Sequence, residues 1–377
     1  MVRPRAQNRA FVARPDEASG TLYLVAVIAE GAAVHHRAYA LTLDDGAIRP
    51  GWPVDVGEAL RAIGQSFDAP VQNQRGALAI LNQTVFVPFG GHFGDCGDFH
   101  GWVIGLPFRD PQRVLNWRTR ARGGGIWAPG GISSDGKSLY VATGNTEGAR
   151  DWADGEAVFR LGPELRRSEL RSDYFAAPDW RALDARDADL GGANPLPLDL
   201  PKAGGGTAPL LLALGKDERA YLLDRGNLGG IGGSLLTERV ATYPIRTAPA
   251  AYPAADGVFV AFEGNGANCP QGRRGGLTTL RVRAGPPPTV ETAWCGALDG
   301  AGAPIVTTTD GRNDPVVWVL GAEGDSRLHG FRGDTGEPVF TSPPLAGLRH
   351  FQTLIAADNR LFVGADDRLY AFSLARR

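Results

Sequence analysis

The sequence predicts an all-β chain folded as a β-propeller of four-stranded antiparallel blades, and three observations carry that prediction. An apolar run, a Gly/Asp turn and a second apolar run ending in an aromatic recur about every 45 to 60 residues, a period at which repeat architectures declare themselves. The repeated segments, such as LYLVAVIAE…RAYALTLDDG, VVWVLGAEGDSRLHGFRGDTG and RLFVGADDRLYAFSL, are rich in β-branched and aromatic residues and show almost no helical periodicity. The 52 glycines and 27 prolines among 377 residues fit short strands joined by many turns, while a hydrophobic share of 43% excludes a disordered chain.

Seven blades are recognisable, each read as strands A to D from the channel outward. They cover about 8–56, 76–119, 125–170, 206–240, 247–295, 303–341 and 351–377, and together form a single domain over 1–377. Only three strands fit into the last copy. The ring therefore closes on an incomplete or N-terminally patched blade, or an eighth blade precedes this sequence, because an open strand edge invites aggregation. Basic and acidic residues nearly balance at 39 and 41, which gives no electrostatic footprint for nucleic acid. No apolar run approaches the roughly 20 residues of a membrane span, and the start MVRPRAQNRA has no apolar signal core.

Antiparallel blades put the A–B and C–D turns on one face and the B–C loops and D–A crossovers on the other. The A–B turns SSDGK, AADG, TTTDGRND and AADNR are short and polar. The opposite face collects AEGAAVHHR, GGHFGDCGDFHG, TGNTEGARDWADGEA, EGNGANCPQGRRGG and a long crossover from Asp173 to Gly206. Long connections are where binding functions concentrate, so a site is expected on this face, around the channel mouth. There Asn73, Gln74, Arg75, Arg122 and Trp127 precede or open inner strands and are the expected ligand contacts. Arg75 and Arg122 suit a carboxylate or phosphate clamp, or salt bridges between blades.

Cys269, in the B–C loop of blade 5, and Cys295, at the end of strand D of the same blade, fall on one face and suit a disulfide; two free buried thiols are the alternative. Cys96 has no evident partner and reads as a small buried hydrophobe. The densest chemical cluster is His92, Asp95, Cys96, Asp98 and His100, with His35 and His36 read into the equivalent loop of blade 1. Imidazoles and carboxylates in adjacent loops suit a transition metal, although the spacing matches no established ligand motif and loop histidines commonly tie backbone groups together. His329 and His350 read as structural. The acidic run Asp184, Asp187, Asp189 resembles a calcium loop but has Leu198 where the bidentate Glu belongs, and reads as a solvated loop. The glycine-rich stretch at 228–233 precedes no helix and carries no phosphate reading.

The blade ends FRGDTGEPVF and LTLDDGAIRPGWPV resemble the aromatic–Asp–x–x–Thr–Gly–x–x–x–Trp repeat of pyrroloquinoline-quinone (PQQ) propellers. Together with FGGHFGDCGDFHGWVIG, GGIWAPGG…LYVATGN and GKDERAYLLDRGNLGGIGG, they make the chain similar to PQQ-like propeller-repeat proteins from about Leu22 to its C-terminus. That resemblance implies a propeller and a secreted or periplasmic setting. It leaves three functional readings: a binding or scaffold propeller for a protein, glycan or small ligand, a metal-dependent enzyme built on His92, Asp95 and His100 with His35 or His36, and a calcium/PQQ-dependent dehydrogenase. For the last, Trp127 would stack on the quinone and Glu263 with Asn265 would hold calcium. The departures argue against it: no two cysteines are adjacent, and Phe340 stands for Trp in the best repeat.

Overall fold

The computed structural model describes residues 12–202, 204–270 and 275–373. Seven antiparallel sheets follow one another around a ring. Blade 1 consists of Val12–Asp16, Thr21–Glu30, Ala33–Thr42 and Val54–Asp55. In blade 2 the innermost strand is broken into Gln72–Asn73 and Ala79–Leu81, and Thr84–Gly91, Trp102–Pro107 and Leu115–Arg118 complete the sheet. Ser133–Ser134, Leu139–Thr143, Ala157–Leu161 and Tyr174–Ala176 form blade 3. Blade 4 is Leu196–Pro201, Thr207–Leu214, Arg219–Asp224 and Leu236–Arg239. Blade 5 runs Ala250–Ala254, Gly257–Glu263, Leu277–Arg283 and Thr289–Gly296, and blade 6 Ile305–Thr307, Val316–Leu320, Leu328–Arg332 and Pro338–Thr341. Blade 7 has three strands among the described residues, Ile355–Ala357, Arg360–Gly364 and Leu369–Ser373.

Three elements differ from the sequence reading. The outer strand of blade 3 lies at Tyr174–Ala176, beyond the boundary expected at 170, and Gly230–Ile231 pairs parallel to it as a fifth strand. The segment read as one long crossover holds that strand, a helix at Trp180–Asp184 and the first strand of blade 4 at Leu196–Pro201, so blade 4 starts ahead of Gly206. His35 and His36 lie within the strand Ala33–Thr42, because the hairpin of blade 1 turns tightly at Gly31 and Ala32. There side chains alternate between faces. His36 is therefore buried, while His35 is half-buried on the other face.

Hydrophobic packing between neighbouring sheets holds the ring. Tyr23 and Val25 of blade 1 cluster with Phe89 and Trp102 of blade 2, and Trp117 of blade 2 with Val141 and Phe159 of blade 3. Tyr140 and Phe175 meet Leu211 and Tyr221 across blades 3 and 4, and Leu212 and Leu222 meet Val260 and Leu280 across blades 4 and 5. Trp294 packs with Val319 and Phe331 between blades 5 and 6, and Trp318 with Leu361 and Val363 between blades 6 and 7. Among the described residues no cluster joins blade 7 to blade 1, and Ile355 and Leu369 of blade 7 are 65% and 67% exposed.

The repeat motif has a mechanical role. In the FRGDTG turn of blade 6 the Gly333 carbonyl accepts the Trp294 indole N–H and the Tyr252 hydroxyl of blade 5, each at 2.7 Å. Gly336 turns at φ +71 where a Cβ would lie 2.5 Å from the Trp294 ring, so only glycine closes this turn.

Cys269 and Cys295 form the expected disulfide, with their Cα atoms 5.7 Å apart, tying the long B–C loop of blade 5 to its own outer strand. Cys96 is exposed rather than buried. With the two cysteines 26 positions apart in the sequence, the crosslink is expected to contribute about 3 kcal/mol through the unfolded chain. The doubly substituted Cys269→Ala/Cys295→Ala protein should lose that amount in non-reducing urea unfolding. A loss near zero would show that the bond does not constrain the chain.

Candidate functional site at the channel mouth

The inner strands and the loops above them converge on one buried carboxylate, Asp189, which is 2% exposed. It lies just before the short 3-10 turn Leu190–Gly192 on the way into blade 4. Its Oδ1 accepts the Asn145 backbone N–H at 2.8 Å, and its Oδ2 accepts the Trp127 indole N–H at 3.1 Å and lies 2.6 Å from the Lys216 ammonium. Lys216 also bonds Asp187 at 2.5 Å. Burial by itself would lower the Lys216 ammonium, but Asp189 and Asp187 outweigh it and hold it above the usual lysine range. Of the run read as solvated, Asp189 and Asp184 are instead internal anchors, Asp184 accepting the Thr146 N–H at 3.0 Å and its hydroxyl at 2.6 Å, while Asp187 is exposed.

Trp127 is half-buried, and Arg75, in the break of blade 2's inner strand, donates to its carbonyl at 3.1 Å. The Arg75 guanidinium lies 5.1 Å from the Trp127 ring centroid and 5.5 Å from that of Phe351, reached from across the ring. Lys216 lies 5.1 Å from the same indole centroid. Gln74 is buried and donates to the Gly76 carbonyl at 2.7 Å, and Asn73 pairs with Gly90 in the sheet. Arg122 acts as a staple between blades: it donates to the Gly97 carbonyl at 2.6 Å and the Asp95 carbonyl at 2.9 Å, and lies 3.6 Å from Glu147. Close packing of the crossover explains its glycines. A Cβ on Gly123, which turns at φ +85, would meet the Asn145 carbonyl at 2.7 Å.

The stapled loop carries His92 to His100. Phe93 at its tip is fully exposed, and Asp95 is half-buried. Burial pushes the Asp95 carboxyl up, and the charges of Asp189, Asp187 and Glu147 add to it. Among the described residues no three of His35, His36, His92, Asp95 and His100 bring their ligand atoms together. His36 is 1% exposed, its Nε2 facing the Ala69 and Gln72 carbonyls at 3.1 Å each and its ring edge-on to Phe67 and Phe89. Nδ1 of His100 faces the Thr119 carbonyl at 3.0 Å. Among the described residues the one grouping of three potential ligands is His35, Asp55 and Glu58, in blade 1. There Asp55 caps the helix Val56–Ala62 through the Glu58 N–H, bonds His35 at 2.6 Å and has Arg37 3.9 Å away, so its oxygens are already engaged by protein groups. His329 bonds Asp325 and His350 bonds Glu323, each at 2.8 Å, as structural contacts.

The residues present do not fit a quinone held with calcium. Arg75 and Lys216 lie against the Trp127 ring where a flat cofactor would stack. Glu263 is buried at the end of its strand while Asn265 is exposed and binds Thr242 through its backbone carbonyl. Burial pushes the Glu263 carboxyl up to about 7, with Arg246 only partly opposing it. A carboxyl raised in the folded state binds more protons than in the unfolded chain. Its stabilising effect is therefore complete below the ordinary value of 4.5 and is lost as pH rises through about 7. Urea unfolding should show stability falling by about 3 kcal/mol over that window from this group, and Glu263→Gln should abolish that part of the slope. An unchanged slope would contradict the burial of this carboxyl.

No family model and no curated protein matches this sequence. Solved structures do. The quinohemoprotein alcohol dehydrogenase from Comamonas testosteroni superposes with a TM-score of 0.55 at 16% identity, over 91% of this chain and 61% of that one, so the chain spans about three fifths of that enzyme. A europium-containing methanol dehydrogenase gives 0.48 at 13% identity over 97% and 67%, and BamB from Moraxella catarrhalis 0.44 at 15% identity over 97% and 96%. The first of these, with the seven sheets and the shared turn motif, bears on the fold alone: the chain has the PQQ-like, quinoprotein-type β-propeller fold.

Proposed function

We propose that this propeller is a binding protein whose long-loop face, around the channel mouth, docks a partner protein presenting basic and apolar side chains. The observation that carries the reading is Phe93, fully exposed at the tip of a loop whose base Arg122 staples in place. An exposed aromatic on a rigid support is a recognition anchor. Around it carboxylates outnumber cations: Asp95, Glu147, Asp184, Asp187 and Asp189 interact with one another and with Lys216, while Asp98 and Asp187 are 79% and 66% exposed. Such a surface attracts a Lys- or Arg-bearing segment and speeds its encounter.

Lys216, Arg75 and Arg122 at the mouth are each engaged with protein groups, which suits recognition by a preformed surface. The disulfide and the fold are consistent with an extracytoplasmic setting. Among the described residues no helix is long and apolar enough to cross a membrane.

A fluorescently labelled peptide alternating Arg and Leu is the probe. Anisotropy titration at low salt should saturate, and affinity should fall about tenfold or more towards roughly 0.3 M salt. Phe93→Ser and Asp95→Asn/Asp187→Asn should each weaken binding about tenfold, with the unfolding midpoint unchanged for Phe93→Ser. Equal affinity for wild type and all variants would refute the assignment of this face.

A further inference from the structure

We infer that the flank between blades 2 and 3 holds a second site, for a small molecule carrying a carboxylate or phosphate group, built from Arg120 and Arg167 with Arg118 at its rim. A groove of about 400 Å³ opens there, of a size for a small molecule and lined by these three arginines with Asn116, Thr119 and the buried Trp117. No acidic side chain lines it.

Charge accounting shows why an anion fits. Asp154, 1% exposed, is the acid beneath two of the arginines: Arg120 bonds its Oδ1 through Nε at 3.0 Å and Nη2 at 2.8 Å, and Arg167 bonds its Oδ2 at 3.0 Å. One carboxylate thus serves two guanidiniums. Glu169, 3.6 Å from Arg120, is 68% exposed and screened by water. Arg118 lies 5.4 Å from the Trp102 ring centroid, on the opposite face of blade 2's outer strand from Trp117, and adds a positive charge at the rim with no carboxylate partner among the described residues. The other groove, about 490 Å³ near Lys216, differs in that Asp217 and Glu218 line it beside its four cations, of which Lys216, Arg219 and Arg239 are paired with acids and Arg186 donates to the Ala182 carbonyl.

The site is also held in shape. Leu165 is 3% exposed yet turns at φ +54, a left-handed conformation that a leucine rarely adopts. Its burial in the cluster with Trp117 and Phe159 maintains that turn and sets Arg167 5.2 Å from the Trp117 ring centroid, with a hydrogen bond to the Arg118 carbonyl. Strained backbone kept by surrounding packing concentrates at functional positions. Guanidinium forks held this way match the oxygen pairs of carboxylates and phosphates, which a mobile lysine cluster would not.

Titration calorimetry of the whole protein with inorganic phosphate and with citrate tests the site, with glucose as the uncharged control. Saturable binding of either anion, and not of glucose, is expected; phosphate alone would mark a phosphoryl site and citrate alone a carboxylate site. Arg167→Gln should weaken binding about tenfold, with Asp154 still neutralised by Arg120. Arg118→Gln, which breaks no ion pair and lies at the rim, should weaken it less while leaving the unfolding midpoint unchanged. Absence of saturation by both anions, or saturation with the same affinity in Arg167→Gln, would overturn the inference. None of these arginines is assigned to the peptide-binding face, so the calorimetry and the anisotropy titration can fail independently.

Discussion

The channel mouth depends on the burial of Asp189. A carboxylate removed from water is stable only when its oxygens are met by donors and its charge by a cation, and removing such a partner costs about 3 to 5 kcal/mol. The Asn145 amide, the Trp127 indole and the Lys216 ammonium supply these, and they come from three different connections. The requirement to satisfy one acid thus draws the loop of blade 3, the crossover from blade 2 and the turn of blade 4 to a common point. Once Trp127 and Lys216 are placed, Arg75 has its ring to lie against, with Phe351 on the far side of the channel.

This polar hub works because the sheets beneath it are fixed by apolar clusters between successive blades and by turn carbonyls that accept buried indole and phenol groups, as Gly333 does from Trp294 and Tyr252. The loops can then be long without being loose. Arg122 bridges the loop of blade 2 to Glu147 of blade 3, and the disulfide does the same service within blade 5. Exposed side chains such as Phe93 sit on supports whose own polar groups are already satisfied.

The fold was legible because strand alternation and Gly/Asp turns are local signals, and most blades carry both. Leu196–Pro201 escaped notice because its prolines argue against an inner strand, and Tyr174–Ala176 because three residues leave no period to count. His35 and His36 were assigned to a loop since the small residues after Glu30 resemble one, whereas the chain turns within two residues and keeps its strand pairing. Arg75, Arg122 and Trp127 stand out in the sequence by their places before inner strands, which a local reading can see. Asp189 was not, because whether an aspartate is solvated or buried depends on Trp127, Asn145 and Lys216, which no local pattern connects to it.

The central claim is that Asp189 organises the mouth as one unit. Hydrogen exchange of the Trp127 indole proton and the Asn145 amide, compared between wild type and Asp189→Asn, tests it most directly. The account predicts strong protection at both positions in the wild type and faster exchange at both in the variant, with strands of blade 6 such as Val316–Leu320 unaffected. Equal exchange in the two proteins, or fast exchange at Trp127 in the wild type, would contradict it.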